Sequence, residues 1–351
     1  MRSRCGRDAW QVAAGAGGAG DLRNMAMDYA SLGDSGVMVS RLALGLGFRG
    51  QSDEQEMERA IRRAIELGIN FLDCANVYGR MDDRHNAGTS EIALGRAIAS
   101  CRDEVVITSK ATSPVGPSPN DRGGSRYHIL RELERSLKRL KTDHIDIYFL
   151  HARDQATAME ESIGAMADLV RQGKIRYWGI CNYCAWENAT ALAIAERLGA
   201  PRFVCVQNPY NLLNRDLERE LIPFCREARR GMMTYSPLAV GLLSGAYREG
   251  EPPPAGSLWA ARRADTFAKV FAGKVLDVLR AVGEIAAARG KTPAQIALNW
   301  IVSHPEVTAA ITGSDTVAQV EESVGAVGWS LSTEERARLD AVSESQPLAV
   351  A

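Results

Sequence analysis

The sequence predicts a (β/α)8 TIM barrel with a leading β-hairpin and a long loop after the seventh barrel strand. Eight short apolar runs alternate with segments of helical periodicity, which is typical of βαβ units around a parallel sheet. Eight such units in about 290 residues match one closed barrel, usually about 250 residues long, better than two domains. No linker interrupts residues 27–345, so we expect a single domain there.

The eight predicted strands are short, apolar and followed by polar or glycine-containing turns. They lie near residues 42–46, 69–73, 104–109, 145–150, 175–180, 203–206, 231–235 and 308–312. Segment 28–42 indicates the hairpin, and EPPPAG at 251–256 indicates the long loop. The helix predicted at 53–67 has an apolar stripe, with Ser52 as its expected N-cap and Gln55 in the capping-box position.

Composition excludes several classes of partner. The 42 basic and 43 acidic side chains give a formal charge of -1, so no net field favours nucleic acid or an anionic membrane. No apolar run is long enough for a transmembrane helix. Seven scattered cysteines indicate a reducing cytoplasm, and the lone CxxC pair of Cys181 and Cys184 predicts no metal site. We therefore expect a soluble cytoplasmic protein.

The two ends of the chain fall outside the predicted domain. Residues 1–26 mix glycine, alanine and charge without a secretory apolar core, so we expect a disordered leader, or a true start at Met25 or Met27. An organelle transit peptide is the alternative for this segment. Residues 346–351 are expected to be a tail.

Polar side chains follow six consecutive predicted strands, and the carboxyl ends of barrel strands face the active site. They are Asp73, Lys110, His151, Asn182, Gln207, Tyr235 and Ser236. Tyr78 lies five residues past Asp73. A single polar residue after a strand carries no prediction, because loops are hydrated. A carboxylate, a lysine, a histidine and a tyrosine together indicate acid–base chemistry.

Several segments resemble motifs of the aldo-keto reductase family, including its bacterial members and the potassium-channel β-subunits. They are GINFLDCANVYG, SEIALGRAI, VVITSK, YFLHARD, GKIRYWGICN and TYSPLAVGLLSG, in the family's order. The resemblance implies an NAD(P)H-dependent oxidoreductase that reversibly reduces aldehydes or ketones to alcohols. It places the catalytic tetrad at Asp73, Tyr78, Lys110 and His151.

Hydride transfer to a carbonyl suggests a role for each tetrad member. Negative charge builds on the carbonyl oxygen as hydride arrives, so a donor must lie there and a proton must follow. We predict Tyr78 as the proton donor, with its pKa lowered by Lys110, which Asp73 holds. His151 is predicted to orient the carbonyl as a neutral imidazole, and its acting as the acid is the alternative.

The resemblance also implies the cofactor contacts. Near the nicotinamide it places Gly47, Phe48, Arg49, Asp73, Asn182, Gln207 and Tyr235. At the pyrophosphate it places Ser236, Pro237, Leu238, Gly241, Leu243 and Ser244, and at the adenosine end Gly313, Ser314, Asp315, Gln319 and Glu322.

The preference between NADP(H) and NAD(H) stays open, with NADP(H) favoured by the family. Asp315 lies where many relatives place a cation near the 2′-phosphate, and at roughly 5 Å the two anions would repel by about 1 to 3 kcal/mol. Arg262 or Arg263 would restore the cation if the loop folds over. Cys181 and Ser323 replace a serine and an asparagine usual in the family.

Three alternatives accompany this interpretation. GLGFRG fits the glycine pattern of a dinucleotide-binding fold, but the predicted helix begins after its last glycine, Gly50, which disfavours that fold. A phosphosugar-binding barrel leaves Tyr78 and Lys110 unexplained. A cofactor-binding regulatory protein, like the channel β-subunits, remains as the second hypothesis.

The substrate is a small carbonyl or alcohol molecule whose identity the sequence leaves open, as it does the oligomeric state. Trp259 and Phe267, in the insertion at 239–272, are expected to form one pocket wall. The polar run at 80–85 favours sugars or short hydroxyaldehydes, unless it is a surface loop that never meets the substrate.

Overall fold

The computed structural model describes residues 27–262 and 264–344, and its centre is a closed parallel barrel. An antiparallel hairpin of β1 (Tyr29–Ser31) and β2 (Met38–Ser40) precedes it. The barrel strands are β3 (Leu42–Gly45), β4 (Phe71–Asp73), β5 (Val106–Ala111), β6 (Ile145–Leu150), β7 (Ile175–Cys181), β8 (Cys205–Pro209), β9 (Gly231–Tyr235) and β10 (Ala309–Thr312). They pair in chain order, and β10 closes the barrel between β9 and β3.

The predicted fold class is confirmed, hairpin included, and the predicted strands deviate from the observed ones only at their ends. The eighth strand in the chain, β8, starts two residues later than the predicted 203–206 and extends to Pro209. Phe203 and Val204 are buried although they precede the strand. Apolar composition indicates burial rather than pairing, which is why the prediction began too early. The leader and tail predictions concern residues outside the described ranges.

Helices fill the intervals between the barrel strands. They are α1 (Glu54–Glu66), α2 (Thr89–Ala97), α3 (Arg126–Leu140), α4 (Met159–Arg171), α5 (Ala185–Arg197), α6 (Leu221–Ala228), α7 (Leu258–Arg262), α8 (Ala264–Val270), α9 (Lys274–Arg289), α10 (Pro293–Val302), α11 (Val317–Val324) and α12 (Thr333–Ser343). Among the described residues, no helix is long and apolar enough to cross a bilayer.

The start of α1 corrects one prediction. Asp53, not Ser52, is the N-cap, and its Oδ1 accepts a hydrogen bond from the backbone N–H of Gln55 at 2.8 Å. Both residue types cap helices well, so the sequence alone does not separate them. The predicted apolar stripe is confirmed, because Met57 and the four residues at helical spacing after it are buried.

The hairpin closes the amino-terminal end of the barrel. Leu32 and Val39 are fully buried and belong to the same apolar cluster as the interior side chains Phe71 and Phe149. Gly33 has φ +57°, and a Cβ there would lie 2.7 Å from the backbone nitrogen of Gly231, so only glycine fits this approach. The opposite end, where the strands finish, is therefore the open one.

The long segment after β9 carries α7 and α8 and has a small aromatic core of its own. Trp259 and Phe267 are 1% and 6% exposed, and their rings pack edge to face at 5.9 Å. Phe267 stacks on Phe271 at 4.9 Å, and the Trp259 indole N–H donates to the Val240 carbonyl at 3.1 Å. The side chains of Trp259 and Phe267 thus form the core of this segment. Because both are buried, they offer little surface for the predicted pocket wall.

Candidate active site

A buried ion pair joins the ends of β4 and β5. Lys110 Nζ lies 2.7 Å from Asp73 Oδ2, with side-chain exposures of 0% and 3%. The other carboxylate oxygen, Oδ1, accepts hydrogen bonds from Thr108 Oγ1 at 2.5 Å and from Gln207 Nε2 at 2.9 Å. Because both oxygens have partners, the carboxylate is held in one orientation at low solvent exposure.

The ammonium of Lys110 reaches Tyr78 from this fixed position. Besides Asp73, Nζ donates to the Cys74 carbonyl at 3.0 Å and to Tyr78 Oη at 3.2 Å. These three acceptors account for the three hydrogens of the ammonium group. An ammonium can only donate, so the hydrogen of the Tyr78 hydroxyl must point elsewhere.

The two pKa shifts at this contact keep both groups protonated at neutral pH. Burial lowers the pKa of Lys110, but the charge of Asp73 and its hydrogen bond to the ammonium outweigh it, and the net pKa is raised. Burial raises the pKa of Tyr78 above 10.0, and Lys110 only partly opposes this. Lys110 lowers the pKa of Tyr78 as predicted, but burial raises it by more, so the net pKa of Tyr78 is raised.

His151 completes the predicted tetrad at the end of β6. Its ring meets the ring of Tyr78 edge to face, with 5.8 Å between centroids. Ser113 Oγ lies 3.0 Å from Nδ1, and Asn182 Nδ2 donates to the His151 carbonyl at 2.9 Å. The phenol and the imidazole thus border the same space at the rim of the barrel.

Asn182 and Tyr235 form a second pair on this rim. Asn182 is exposed with φ +62°, a left-handed conformation that asparagine tolerates better than most residues. Tyr235 Oη donates to Asn182 Oδ1 at 2.8 Å, and burial raises the pKa of Tyr235 to about 12. Since Gln207 directs its amide nitrogen at Asp73, a contact from Gln207 to a cofactor would use its amide oxygen.

The loop after β9 bends back on itself through several left-handed residues. Ser236, Ala239, Val240 and Gly241 all have positive φ, between 49° and 89°. Backbone turns of this kind direct successive N–H groups to one side and are typical of anion-binding concavities. In this loop the N–H groups of Ala239, Leu242, Leu243 and Ser244 donate to carbonyls of the loop itself, and Pro237 and Leu243 bury their side chains. A pyrophosphate placed here would therefore meet the remaining main-chain N–H groups.

The loop after β10 is arranged by its own polar side chains. Ser314 is 3% exposed, and its Oγ lies 3.1 Å from Ser323 Oγ, the residue that replaces the family's usual asparagine. Gln319 Oε1 accepts from the Asp315 N–H at 2.8 Å. Gly313 and Glu322 are exposed, with open space where a Gly313 side chain would begin.

Asp315 faces the β3 loop, which we define as residues 46–53. Its Oδ2 accepts from the Gly50 N–H at 2.8 Å. In the same loop Phe48 is 1% exposed, whereas Arg49 is exposed. A cofactor here would therefore meet the Arg49 side chain and the backbone of Gly47 and Phe48. Arg263 and the side chain of Arg262, the suggested substitute cations, lie outside the described part of the structure.

In the β4 loop, residues 79–88, several polar side chains bind other groups of the protein. Arg80 pairs with Glu54 at 3.1 Å, and Asp83 accepts from the His85 N–H at 2.9 Å. Met81 is 48% exposed in this loop. The sequence allows two interpretations of the run at 80–85, as part of a polar substrate site or as a surface loop. These contacts favour a structural role for Arg80 and Asp83.

Sequence reasoning missed Thr108 and Ser113. Thr108 lies two residues before Lys110 on the same strand, hence on the same face, and strand periodicity would have identified it. Ser113 lies beyond the strand and carries no such signal. The described residues contain no cluster of metal-ligating side chains; Cys181 is buried and Cys184 caps α5.

Fold and site together define a barrel enzyme that presents a tyrosine hydroxyl on a buried ion pair. The chain belongs to the aldo/keto reductase family, whose model matches residues 41–344. It is 38% identical over 318 residues to "Uncharacterized oxidoreductase YrpG" of Bacillus subtilis, covering 88% of this chain and 93% of that protein. This membership makes the chain an oxidoreductase.

Two other relatives carry more specific names. The chain is 34% identical over 323 residues to "L-glyceraldehyde 3-phosphate reductase" of Escherichia coli strain K12, covering 90% of this chain and 92% of the relative. It is 35% identical over 310 residues to "Probable voltage-gated potassium channel subunit beta" of Arabidopsis thaliana, covering 86% and 91%. Both resemblances span almost the whole barrel.

Proposed function

We propose that the protein is an NAD(P)H-dependent reductase of aldehydes or ketones, with Tyr78 as the proton donor. The observation that supports this most is the position of Lys110 Nζ, 2.7 Å from Asp73 Oδ2 and 3.2 Å from Tyr78 Oη. A cation fixed there by a buried carboxylate stabilises negative charge on the phenol oxygen as its proton leaves. The raised pKa of Tyr78 keeps that proton available at neutral pH.

The steps assigned to the chain's own residues are few. When bound, the dihydronicotinamide supplies a hydride to the carbonyl carbon. Tyr78 and His151 border the space for the carbonyl oxygen, where both donate hydrogen bonds as negative charge develops. Tyr78 then transfers its proton to that oxygen, which completes the alcohol, and Lys110 stabilises the resulting phenolate until solvent reprotonates it. The reverse sequence oxidises an alcohol.

The cofactor we propose is NADP(H), the family's usual choice, with NAD(H) as the alternative because the family resemblance implies that Asp315 lies at the adenosine end. As substrates we propose small aldehydes and ketones. Short hydroxyaldehydes are the first class to test, since one relative at 34% identity is named for reduction of L-glyceraldehyde 3-phosphate.

The test is Tyr78→Phe, measured across an aldehyde panel that includes glyceraldehyde 3-phosphate. We expect kcat/KM to fall at least about 100-fold, because proton donation is lost, while the Kd for NADPH stays within about twofold. Tyr127→Phe is the matched control, since Tyr127 is 63% exposed, and should leave turnover unchanged. Near-normal turnover by Tyr78→Phe would contradict the mechanism.

The resemblance to a protein named as a channel β-subunit supports a second candidate, a regulatory protein that binds cofactor without steady turnover. Mixing NADPH-loaded protein with the aldehyde panel separates the two. Repeated oxidation of added NADPH supports the reductase. Tight binding with no oxidation by any aldehyde, in wild type and Tyr78→Phe alike, supports the regulatory role.

A further inference from the structure

The β3 loop lies between the loop after β10 and the β4 loop, and it contacts both. On one side the β3 loop contacts Asp315, whose carboxylate, backbone carbonyl and backbone N–H all form hydrogen bonds. Its carboxylate Oδ2 accepts from the Gly50 N–H at 2.8 Å, and its carbonyl accepts from Gln51 Nε2 at 3.2 Å. Its own N–H donates to Gln319 Oε1 at 2.8 Å, which fixes it within its loop.

The fit at Gly50 is close. A Cβ on Gly50 would lie 3.2 Å from Asp315 Oδ2, tighter than ordinary contact, so the carboxylate sits directly against the loop backbone. Asp315 is partly buried. Its carboxylate therefore acts on the β3 loop at short range, through the Gly50 N–H and through the neighbouring backbone and charge of Arg49.

On its other side the β3 loop holds the β4 loop. The Met81 N–H donates to the Phe48 carbonyl at 2.9 Å and to the Gln51 carbonyl at 3.3 Å. Phe48 has φ +44° and a buried side chain, so its carbonyl is held in a fixed direction. Met81 is three residues from Tyr78. Hydrogen bonds at both sides of the β3 loop, joined by the main chain of residues 48–51, thus connect Asp315 to the segment that carries the tyrosine.

We propose that Asp315 is a positioning residue: by accepting the Gly50 N–H it locks the β3 loop and, through Phe48 and Met81, sets the place of Tyr78. Only the expected effect of Asp315 on turnover rests on the proposed function; its effect on the loop does not. In this role Asp315 accepts a hydrogen bond that connects two loops. It does not discriminate between NADP(H) and NAD(H) by repelling the 2′-phosphate. A neutral acceptor of the same size can fill this role, whereas a methyl group cannot.

The test compares Asp315→Asn with Asp315→Ala. The first readout is amide hydrogen exchange of residues 46–53 and 79–83 in the cofactor-free protein, which needs no activity. A net hydrogen bond of about 1 kcal/mol predicts that Asp315→Ala speeds exchange at Gly50 about fivefold, and that Asp315→Asn stays near wild type. The second readout is kcat/KM, expected to fall several-fold in Asp315→Ala, equally with NADPH and NADH.

Two results would overturn the proposal. One is unchanged exchange at Gly50 in Asp315→Ala. The other is a shift in the NADPH to NADH ratio that Asp315→Asn shows as strongly as Asp315→Ala, because a charge effect is lost in both variants. Failure of the proposed function is distinguishable: it would appear as normal turnover by Tyr78→Phe, with the exchange result at Gly50 unaffected.

Discussion

Lys110 shows how a single side chain organises the site. Its ammonium has three acceptors, and its partner Asp73 is also held by Thr108 and Gln207. Burying such a pair costs solvation, so removing one partner is worse than removing both, because it leaves an uncompensated charge in the interior.

At this scale we predict the outcome for Lys110→Met. The variant should lose at least about 100-fold in kcat/KM, because nothing then stabilises the Tyr78 phenolate. Its free energy of unfolding in urea should fall by about 3 to 5 kcal/mol, because Asp73 stays buried without its cation.

The double variant Asp73→Asn/Lys110→Met is the control for Lys110→Met. It removes the unpaired charge, so it should regain most of the lost stability while remaining inactive. A single variant as stable as wild type would show that the carboxylate needs no counter-ion.

At the scale of elements, the two ends of the barrel have different roles: the β1–β2 hairpin closes one end, and the rim loops form the candidate site at the other. The hairpin plugs the amino-terminal end with Leu32 and Val39, while the strand ends at the opposite rim carry the tetrad. The amino-terminal end of the barrel therefore serves stability and the opposite end chemistry, as is usual in this architecture.

Leu32→Ala tests this division. Truncating a fully buried leucine should lower the free energy of unfolding by about 2 to 5 kcal/mol, since the barrel end cannot collapse fully around the cavity. At a temperature where the variant is folded, kcat/KM should match wild type. Met38→Ala on the same hairpin is the control, because Met38 is 52% exposed and its truncation should change stability little. A large loss of activity in folded Leu32→Ala would mean that the two ends are coupled.

At the scale of the whole molecule, the proposed cofactor contacts come from the carboxyl ends of β4, β8 and β9 and from the loops after β3, β7, β9 and β10, around most of the rim. A ligand that joins them should stabilise the barrel as a unit. Binding to the folded state alone raises the free energy of unfolding by about 2.7 kcal/mol at a free concentration of 100 times Kd.

Thermal unfolding with each cofactor is the corresponding measurement. We expect NADPH to raise Tm more than NADH at equal concentration, in line with the family's usual choice. 2′,5′-ADP and 5′-ADP serve as matched probes, because they differ only in the 2′-phosphate. If Tm rises more with NADH than with NADPH, and more with 5′-ADP than with 2′,5′-ADP, the preferred cofactor is NAD(H) and not NADP(H).

Much of the fold and the tetrad could be predicted from sequence because the signals are local or ordered along the chain. Short apolar runs between helical segments located all eight barrel strands, and a residue at a strand's carboxyl end lies on the active rim whatever the rest of the sequence does. The same logic indicated Asp73, Lys110 and His151, the family resemblance implied that they form a tetrad with Tyr78, and the structure brings these side chains to one place.

Only the tertiary structure decided the properties that depend on distant neighbours. The sign of the Tyr78 pKa shift is set by burial within the whole barrel, which no adjacent residue reveals. The role of Asp315 depends on a hydrogen bond to Gly50, 265 positions away, which exists because β10 pairs with β3 when the barrel closes. Sequence thus determined which groups reach the rim, whereas closure of the sheet determined their solvation and their partners.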